Sequence, residues 1–358
     1  MIDRNKRDAA MQTLIGREGL KASVYLPTHT AFPDNRQDPI VYKNLLQEME
    51  RDLVARLPRR EWQDVITSLQ SLQHDVEFWN HTTQGLGVLS AGGQTETFLL
   101  DFHVPAQWLA GEHFHLLPLY PLMDSISHAY LTDISRDRFR IFEVSQDGLR
   151  EFDLPEVKSS FPELFDDMDA NATLRTGSYA GLVGAFHGHG GRQDQTDKDT
   201  EKYHRYLSDA FQKLNRETGY PMILAGTESS LRQYREIAHG TFYLEHAITQ
   251  PLESLSLKDA MTEIKTALRP YLESRLTQLN TEISNKRNAG KAVHELDEIR
   301  DAAAQGRVDT LILPGTVQGN ERALLDGACE QTILYGGTLF SDREGQLELP
   351  GGRVALLR

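Results

Sequence analysis

The stretch AFHGHGGRQDQTDKDTEKYHRYLSDAFQKL, residues 185–214, joins a run of glycines to a segment of helical periodicity. Gly188, Gly190 and Gly191 lie within four positions. Glycine adopts positive φ at little cost and lets a backbone approach a ligand closely. We therefore predict a glycine-rich loop over residues 187–193, with histidines and an arginine alternating with its glycines.

A helix is predicted after this loop, over residues 196–214. Thr196 with Asp199 three positions later is typical of a helix N-terminus, where the two side chains satisfy free backbone N–H groups. The helical period places one apolar face toward a core. Its predicted members are Tyr203, Leu207, Ala210 and Leu214.

A second stripe of this helix is basic. Lys198, Lys202 and Arg205 are spaced by four and three residues, so they share one face. Residues 185–216 contain six Lys or Arg and five Asp or Glu, so the patch is local. A glycine-rich tip beside a basic helix suits the delivery of backbone N–H groups to a charged site rich in RNA.

The rest of the chain alternates between strand and helix patterns, which predicts a mixed α/β fold. YPMILAG followed by ESSLRQYREIA is typical of a buried strand and a helix. Nearer the N-terminus, we predict helices over about 40–57 and 61–79. The expected organisation is three domains: an N-terminal α/β domain (1–123), a middle domain with the glycine-rich loop (124–265) and a C-terminal α/β domain (266–358).

In the segment GLGVLSAGGQTETFLL, residues 85–100, apolar residues alternate with other residues on both sides of two adjacent glycines. This pattern predicts a β-hairpin. It contains a literal Gly-Gly-Gln at Gly92, Gly93 and Gln94. No helix follows and no basic residue flanks it, so we interpret these residues as the hairpin turn and not as a functional site.

Charge and composition limit the classes of function. The net charge is −14, which argues against general nucleic-acid binding because phosphate contacts need clustered Lys and Arg. No stretch approaches the roughly 20 apolar residues that cross a bilayer, so no membrane partner is expected. The single cysteine, Cys329, forms no intrachain disulfide and is expected to be a buried apolar residue. The expected location is the cytoplasm.

The loop and its helix resemble the class-I peptide-chain release factors of archaea and eukaryotes and their Pelota-type relatives. That family carries His-Gly-X-Gly-Gly-Gln on its middle domain, and this chain has His-Gly-His-Gly-Gly at residues 187–191. Lys-Tyr-His-Arg-Tyr, at 202–206, is similar to the signature of the following helix. Residues 85–102 and 335–358 resemble the first-domain hairpin and the end of the third domain. The bacterial branch of the family is the nearest fit.

The resemblance implies ribosome binding, with rRNA and peptidyl-tRNA as partners, and it leaves open a translational GTPase as a second partner. No cofactor or metal is expected. The implied functions are rescue of stalled ribosomes or protection of idle ones. The implied catalytic positions are Gly190, Gly191, Arg192 and Gln193. The implied RNA-binding residues are His187, Gly188, His189, Lys198, Lys202 and Arg205.

Two departures from the family bear on activity. The hydrolytic members have glutamine directly after the second glycine, whereas this chain has Arg192 there and Gln193 one position later. A misplacement of about 1 Å at a reacting group can lower a rate about 100-fold. The one-residue shift therefore predicts that peptidyl-tRNA hydrolysis is weak or absent. The stop-codon readers carry Asn-Ile-Lys-Ser, but residues 35–39 read Asn-Arg-Gln-Asp-Pro. Stop-codon decoding is therefore not expected.

Two alternatives remain. His187, His189 and His204 supply at most three metal ligands, whereas structural zinc sites take four, so we favour histidines that face RNA or solvent. The other alternative is a non-ribosomal, stress-related adaptor that keeps the fold without catalysis. The net charge favours the adaptor, and the intact His-Gly-X-Gly-Gly favours the ribosome.

Overall fold

The computed structural model describes the backbone of most of the chain. The described residues are 4–100, 102–120, 128–144, 149–164, 189–315, 317, 321–342 and 345–358. For residues 4–8 and 189–197 the description covers the backbone alone.

The chain folds into two compact units. One contains Met1–Asp124 together with Ser274–Arg358, and the other contains Ser125–Glu273. Each of the three predicted domains contributes one four-stranded sheet. The mixed α/β fold class is confirmed, whereas the division into three domains stays a prediction.

The first sheet of the two-segment unit is antiparallel, in the order β3-β2-β1-β4. Its strands are β1 (Lys21–Pro27), β2 (Gly85–Ala91), β3 (Gln94–Leu100) and β4 (Gln107–Gly111). β2 and β3 form the predicted hairpin, in which Ala91 pairs with Gln94. β2 is buried along its whole length, which explains why its sequence is almost entirely apolar or small.

The described residues of the same segment form four α-helices: α1 (Arg4–Ile15), α2 (Asp38–Arg56), α3 (Arg59–Gln73) and α4 (Val76–Asn80). The single helix predicted over 61–79 is wrong, because it is divided in two after Gln73. Asp75 ends the uninterrupted pattern: its carboxylate accepts a hydrogen bond from the backbone N–H of Phe78 at 2.9 Å. This N-cap starts α4 as a separate helix.

The second sheet of this unit comes from the C-terminal segment, in the order β11-β10-β12-β9. Its strands are β9 (Ala292–Val293), β10 (Val308–Pro314), β11 (Thr338–Asp342) and β12 (Val354–Leu357). β10 and β11 run parallel and are connected through α9 (Glu321–Leu334). α8 (Leu296–Ala304) is followed by Gly306 with φ +66°, the left-handed conformation that glycine favours after a helix end.

The other unit is a single sheet with helices on both faces, in the order β7-β6-β5-β8. Its strands are β5 (Ala129–Ile134), β6 (Phe139–Val144), β7 (Leu149–Glu151) and β8 (Met222–Ala225). Its long described helices are α5 (His189–Thr218), α6 (Glu228–Ile237) and, up to Glu273, α7 (Leu257–Asn288). β5 and β8 are parallel, as the predicted strand–helix order requires.

The two faces of this sheet have separate cores. α5 and α6 pack on one face with side chains such as Tyr130 and Ile141, and α7 packs on the other with Leu131 and Ile223. Because alternate residues of a strand point to opposite faces, Tyr130 and Leu131 serve different cores. α5 is therefore held by the first of these two cores.

The two segments of the first unit share one hydrophobic core, which combines Phe98 and Phe114 with Leu311 and Leu325. A buried polar network crosses the same boundary. The Lys21 ammonium donates to the Glu330 carboxylate at 2.9 Å. Glu330 is 1% exposed, so its charge needs this partner.

Two groups from the 113–115 connection complete the environment of Glu330. The backbone N–H of Phe114 donates to its carboxylate at 2.7 Å, and His113 Nδ1 lies 2.7 Å from it. The hydrogen bond to Glu330 raises the pKa of His113, and partial burial opposes this shift. The imidazolium therefore stabilises the unit below the unfolded pKa, and this stabilisation is lost as the pH rises through the higher folded pKa.

A second buried pair lies one turn away on α9. His115 Nδ1 lies 3.1 Å from Asp326, and both residues are buried. Burial is the main cause of the raised pKa of Asp326, and the hydrogen bond to His115 opposes it. Both pairs join an N-terminal residue to α9, so α9 is attached to the first segment by polar contacts as well as by apolar packing.

We expect Glu330→Ala to lower the free energy of unfolding by about 3 to 5 kcal/mol, because it leaves the buried ammonium of Lys21 without a partner. Urea denaturation followed by circular dichroism measures this change. The control is Glu298→Ala, on the exposed face of α8, which we expect to change stability by at most about 0.5 kcal/mol. Equal losses in the two variants would contradict a stabilising role for the network.

Candidate functional site

The glycine-rich motif lies at the start of α5, and its described part is helical. α5 begins at His189, so the predicted helix start at Thr196 is wrong by seven residues (196 minus 189). Gly190, Gly191, Arg192 and Gln193 have helical backbone where a loop is predicted, whereas His187 and Gly188 lie outside the described residues. Helical glycine costs only about 1 kcal/mol relative to alanine, which a helix anchored further along can offset.

The apolar face of α5 packs into the core of its unit and holds the helix in place. Four hydrophobic side chains of this face are at most 4% exposed: Tyr203, Leu207, Phe211 and Leu214. Ala210, which was also predicted for this face, is only half-buried, and Phe211 takes its place in the core. The Tyr203 hydroxyl also donates to the carbonyl of Ser159 at 2.7 Å. These contacts fix the rotation of α5 about its axis.

The sequence does not indicate a further attachment through Tyr206. The backbone N–H of Lys158 donates to the Tyr206 hydroxyl at 2.9 Å. Tyr203 and Tyr206 thus hold residues 158–159 against α5, within a segment whose turn-rich sequence gives no periodic signal. The only sequence signal for this contact is the spacing of Tyr203 and Tyr206, because residues i and i+3 are neighbours on a helix and can contact the same segment.

His204 is a core residue of this unit. It is completely buried, its ring packs edge-on against Tyr234 with centroids 5.3 Å apart, and Nε2 lies 3.5 Å from the carbonyl of Ser135. Burial lowers its pKa, which favours the neutral imidazole. The side chains of His187 and His189 lie outside the described ones. Within the described residues, no group of three or more His, Cys, Asp or Glu side chains is arranged to hold a metal ion.

The predicted basic stripe is on the solvent side of α5. Lys198, Lys202 and Arg205 are all exposed. Arg205 donates to Glu201 at 2.6 Å, and Lys202 lies 3.9 Å from Asp199. The Arg205–Glu201 pair is exposed, and such pairs contribute about 0 to 1 kcal/mol, so a phosphate can replace this carboxylate at little cost. The structure therefore brings these three cations onto one accessible face.

The literal Gly-Gly-Gln of the N-terminal segment is a hairpin turn, as predicted. Gly92 and Gly93 have φ of +54° and +75° between β2 and β3, and Gln94 is exposed. Cys329 is buried, as expected, and burial raises the pKa of its thiol. In the part of the chain with described structure, no helix is both long and apolar enough to span a bilayer.

Residues 130–307 match the family model described as bacterial archaeo-eukaryotic release factor family 3. This match supports the assignment of the chain to the bacterial branch of the archaeo-eukaryotic release factors. The matched range includes all of α5, so it contains both the glycine motif and the basic stripe.

Solved structures of the wider family are similar along the chain. An archaeal translation termination factor, aRF1, is 15% identical, with 100% of this chain and 98% of that one covered and a TM-score of 0.26. A ribosome-bound archaeal Pelota with ABCE1 is 14% identical, at 98% and 93% coverage and a TM-score of 0.45. Dom34 of S. cerevisiae is 15% identical, at 76% and 80% coverage and a TM-score of 0.37. No curated protein sequence matches significantly.

Proposed function

We propose that this chain is a translation factor that binds the ribosome through the exposed basic face of α5. Membership of the release-factor family, through a match that includes α5, supports a function in translation. Within that function, Lys198, Lys202 and Arg205 would contact rRNA phosphates. The single observation that carries this assignment is the exposure of all three cations on one side of a helix whose other side is buried.

The net charge of −14 predicts that RNA binding is restricted to a local basic surface and is sensitive to salt. Contacts through three cations, within an otherwise acidic protein, give an affinity that falls as salt rises, because each phosphate contact releases a counterion. The acidic surface disfavours binding to RNA elsewhere. Binding would therefore be local and oriented by α5.

The glycine motif would then lie toward peptidyl-tRNA. Residues 189–193 precede the basic stripe on the same helix, so a ribosome contact at Lys198 would bring them close to the bound RNA. Arg192 follows the second glycine, and its guanidinium is suited to bidentate pairing with phosphate. We propose that the chain occupies the site to rescue or protect ribosomes, with weak or absent hydrolysis of peptidyl-tRNA. A translational GTPase is a candidate second partner.

A non-ribosomal adaptor is the second candidate function. The observation that favours it is the pairing of Arg205 with Glu201 and of Lys202 with Asp199, which reduces the free positive charge on α5. An adaptor of this kind would bind a protein partner and would show no affinity for ribosomes. Sedimentation with ribosomes separates the two candidates.

We expect Lys198→Glu/Lys202→Glu/Arg205→Glu to reduce cosedimentation with 70S ribosomes by at least about tenfold, because three phosphate contacts become repulsive. Sucrose-gradient sedimentation at low and high salt measures the effect. The matched control is Lys258→Glu/Lys265→Glu/Arg269→Glu on α7, which makes the same charge change at exposed residues of the same unit. Thermal melting checks that both triple variants are folded.

We expect the control to lose at most about twofold, since only long-range repulsion changes. Equal losses in the two triple variants would mean that net charge, and not the α5 face, determines binding. Absence of binding by the unmodified protein at low salt would favour the adaptor.

A further prediction concerns hydrolysis. We expect little or no release of labelled peptide from stalled ribosomes, because Arg192 occupies the position after the two glycines and Gln193 is displaced by one residue. Release from ribosomes carrying radiolabelled peptidyl-tRNA is the measurement. Deleting Arg192 restores the Gly-Gly-Gln spacing and is expected to increase release.

The control for this experiment is Gln193→Ala, which should leave the low rate unchanged. Robust release by the unmodified protein, abolished by Gln193→Ala, would contradict the occupying function and establish a hydrolase. Release by neither the unmodified protein nor the Arg192 deletion, with ribosome binding retained, would assign the low rate to features besides the register.

A further inference from the structure

An open groove of about 850 Å³ lies between α5 and α6. Its walls are polar and include the side chains of Asp209, Gln212, Gln233 and Glu236. A face between two packed helices is usually apolar. Of the basic stripe, only Arg205 lines the groove, where it pairs with Glu201, so the ribosome contact proposed above does not explain the rest of this polar surface.

The charge of the groove is negative. Glu201 and Arg205, at its rim, neutralise each other at 2.6 Å. Asp209 and Glu236 have no ion pair among the residues that the structure describes. Two carboxylates without a counterion, on facing helices, attract a cation into the space between them.

The amide side chains of Gln212 and Gln233 add hydrogen-bond acceptors to the groove. The Gln212 amide Nε2 donates at 3.4 Å to the Ser208 hydroxyl and at 3.4 Å to the carbonyl of His239. These bonds orient the amide and leave its carbonyl oxygen to accept from another donor. Within the described part of the chain, Gln233 makes no side-chain hydrogen bond and has both amide groups available.

His204 provides an independent observation. It lines the groove, it is completely buried, and its Nδ1 has no hydrogen-bond partner. Nε2 faces the carbonyl of Ser135 and so carries the proton, which leaves a lone pair on Nδ1. Buried polar atoms are satisfied in nearly all folded proteins, so an orphaned acceptor at this wall points to a donor that binds there.

We propose that the groove binds an arginine-bearing segment of a basic peptide. A guanidinium has five N–H donors and no acceptor, which complements a lining of two carboxylates, an amide carbonyl and an imidazole lone pair. Its delocalised charge is weakly hydrated, which lowers the cost of entering a partly enclosed site. This inference does not depend on ribosome binding, because Lys198 and Lys202 lie outside the groove lining and Arg205 alone belongs to both surfaces.

The test is fluorescence anisotropy with a labelled octa-arginine peptide at about 0.15 M salt, where long-range attraction is screened. Asp209→Asn/Glu236→Gln is expected to weaken binding by at least about tenfold, the change that removal of two close charge partners produces. The matched control is Glu228→Gln/Glu245→Gln, which removes the same charge from exposed carboxylates outside the groove lining. We expect the control to weaken binding by less than about twofold.

A second readout locates the peptide. In 15N-labelled protein, the imidazole Nδ1 signal of His204 should shift on addition of the peptide and should not shift in Asp209→Asn/Glu236→Gln. Equal weakening in both double variants would assign the affinity to general acidic charge and overturn the proposal. An unmoved His204 signal would place the peptide elsewhere. Displacement by equimolar spermine would show that the groove selects any polyamine and would overturn the peptide assignment.

Discussion

The burial of one face of α5 against the sheet of its unit determines what this protein can present to a partner. Tyr203, Leu207 and Phe211 are in the core, so the helix cannot rotate without exposing them. The opposite face is then fixed toward solvent, and it carries Lys198, Lys202 and Arg205. The apolar contacts therefore select the surface through which the proposed ribosome contact is made.

Local periodicity explains how much of this could be predicted from the sequence. The hairpin about Gly92, the buried strand β8 and three of the four predicted core positions of α5 depend on alternation or on the 3.6-residue period, and the structure confirms them. The exposure of the basic stripe follows from the same period. Burial of His204 was not predicted, because a histidine beside two charged residues has no local signal for a core position.

The features that were missed depend on contacts distant in sequence or on competing local preferences. Lys21 and Glu330 are 309 positions apart, and no local pattern pairs a lysine with a glutamate at that distance. The shared core of the two terminal segments is equally invisible in either segment alone. The N-terminus of α5 was misplaced because glycine predicts a break, whereas the anchored helix continues through Gly190 and Gly191.

The most direct test of the central claim is photo-crosslinking from α5 to ribosomal RNA. A photoreactive amino acid replaces Lys198 in one variant and Lys258, on an exposed face of α7, in the other. After ultraviolet irradiation with 70S ribosomes, our account predicts crosslinks to rRNA from position 198 and few or none from position 258. Equal crosslinking from the two positions, or crosslinks from position 258 alone, would contradict the assignment of the α5 face as the ribosome contact.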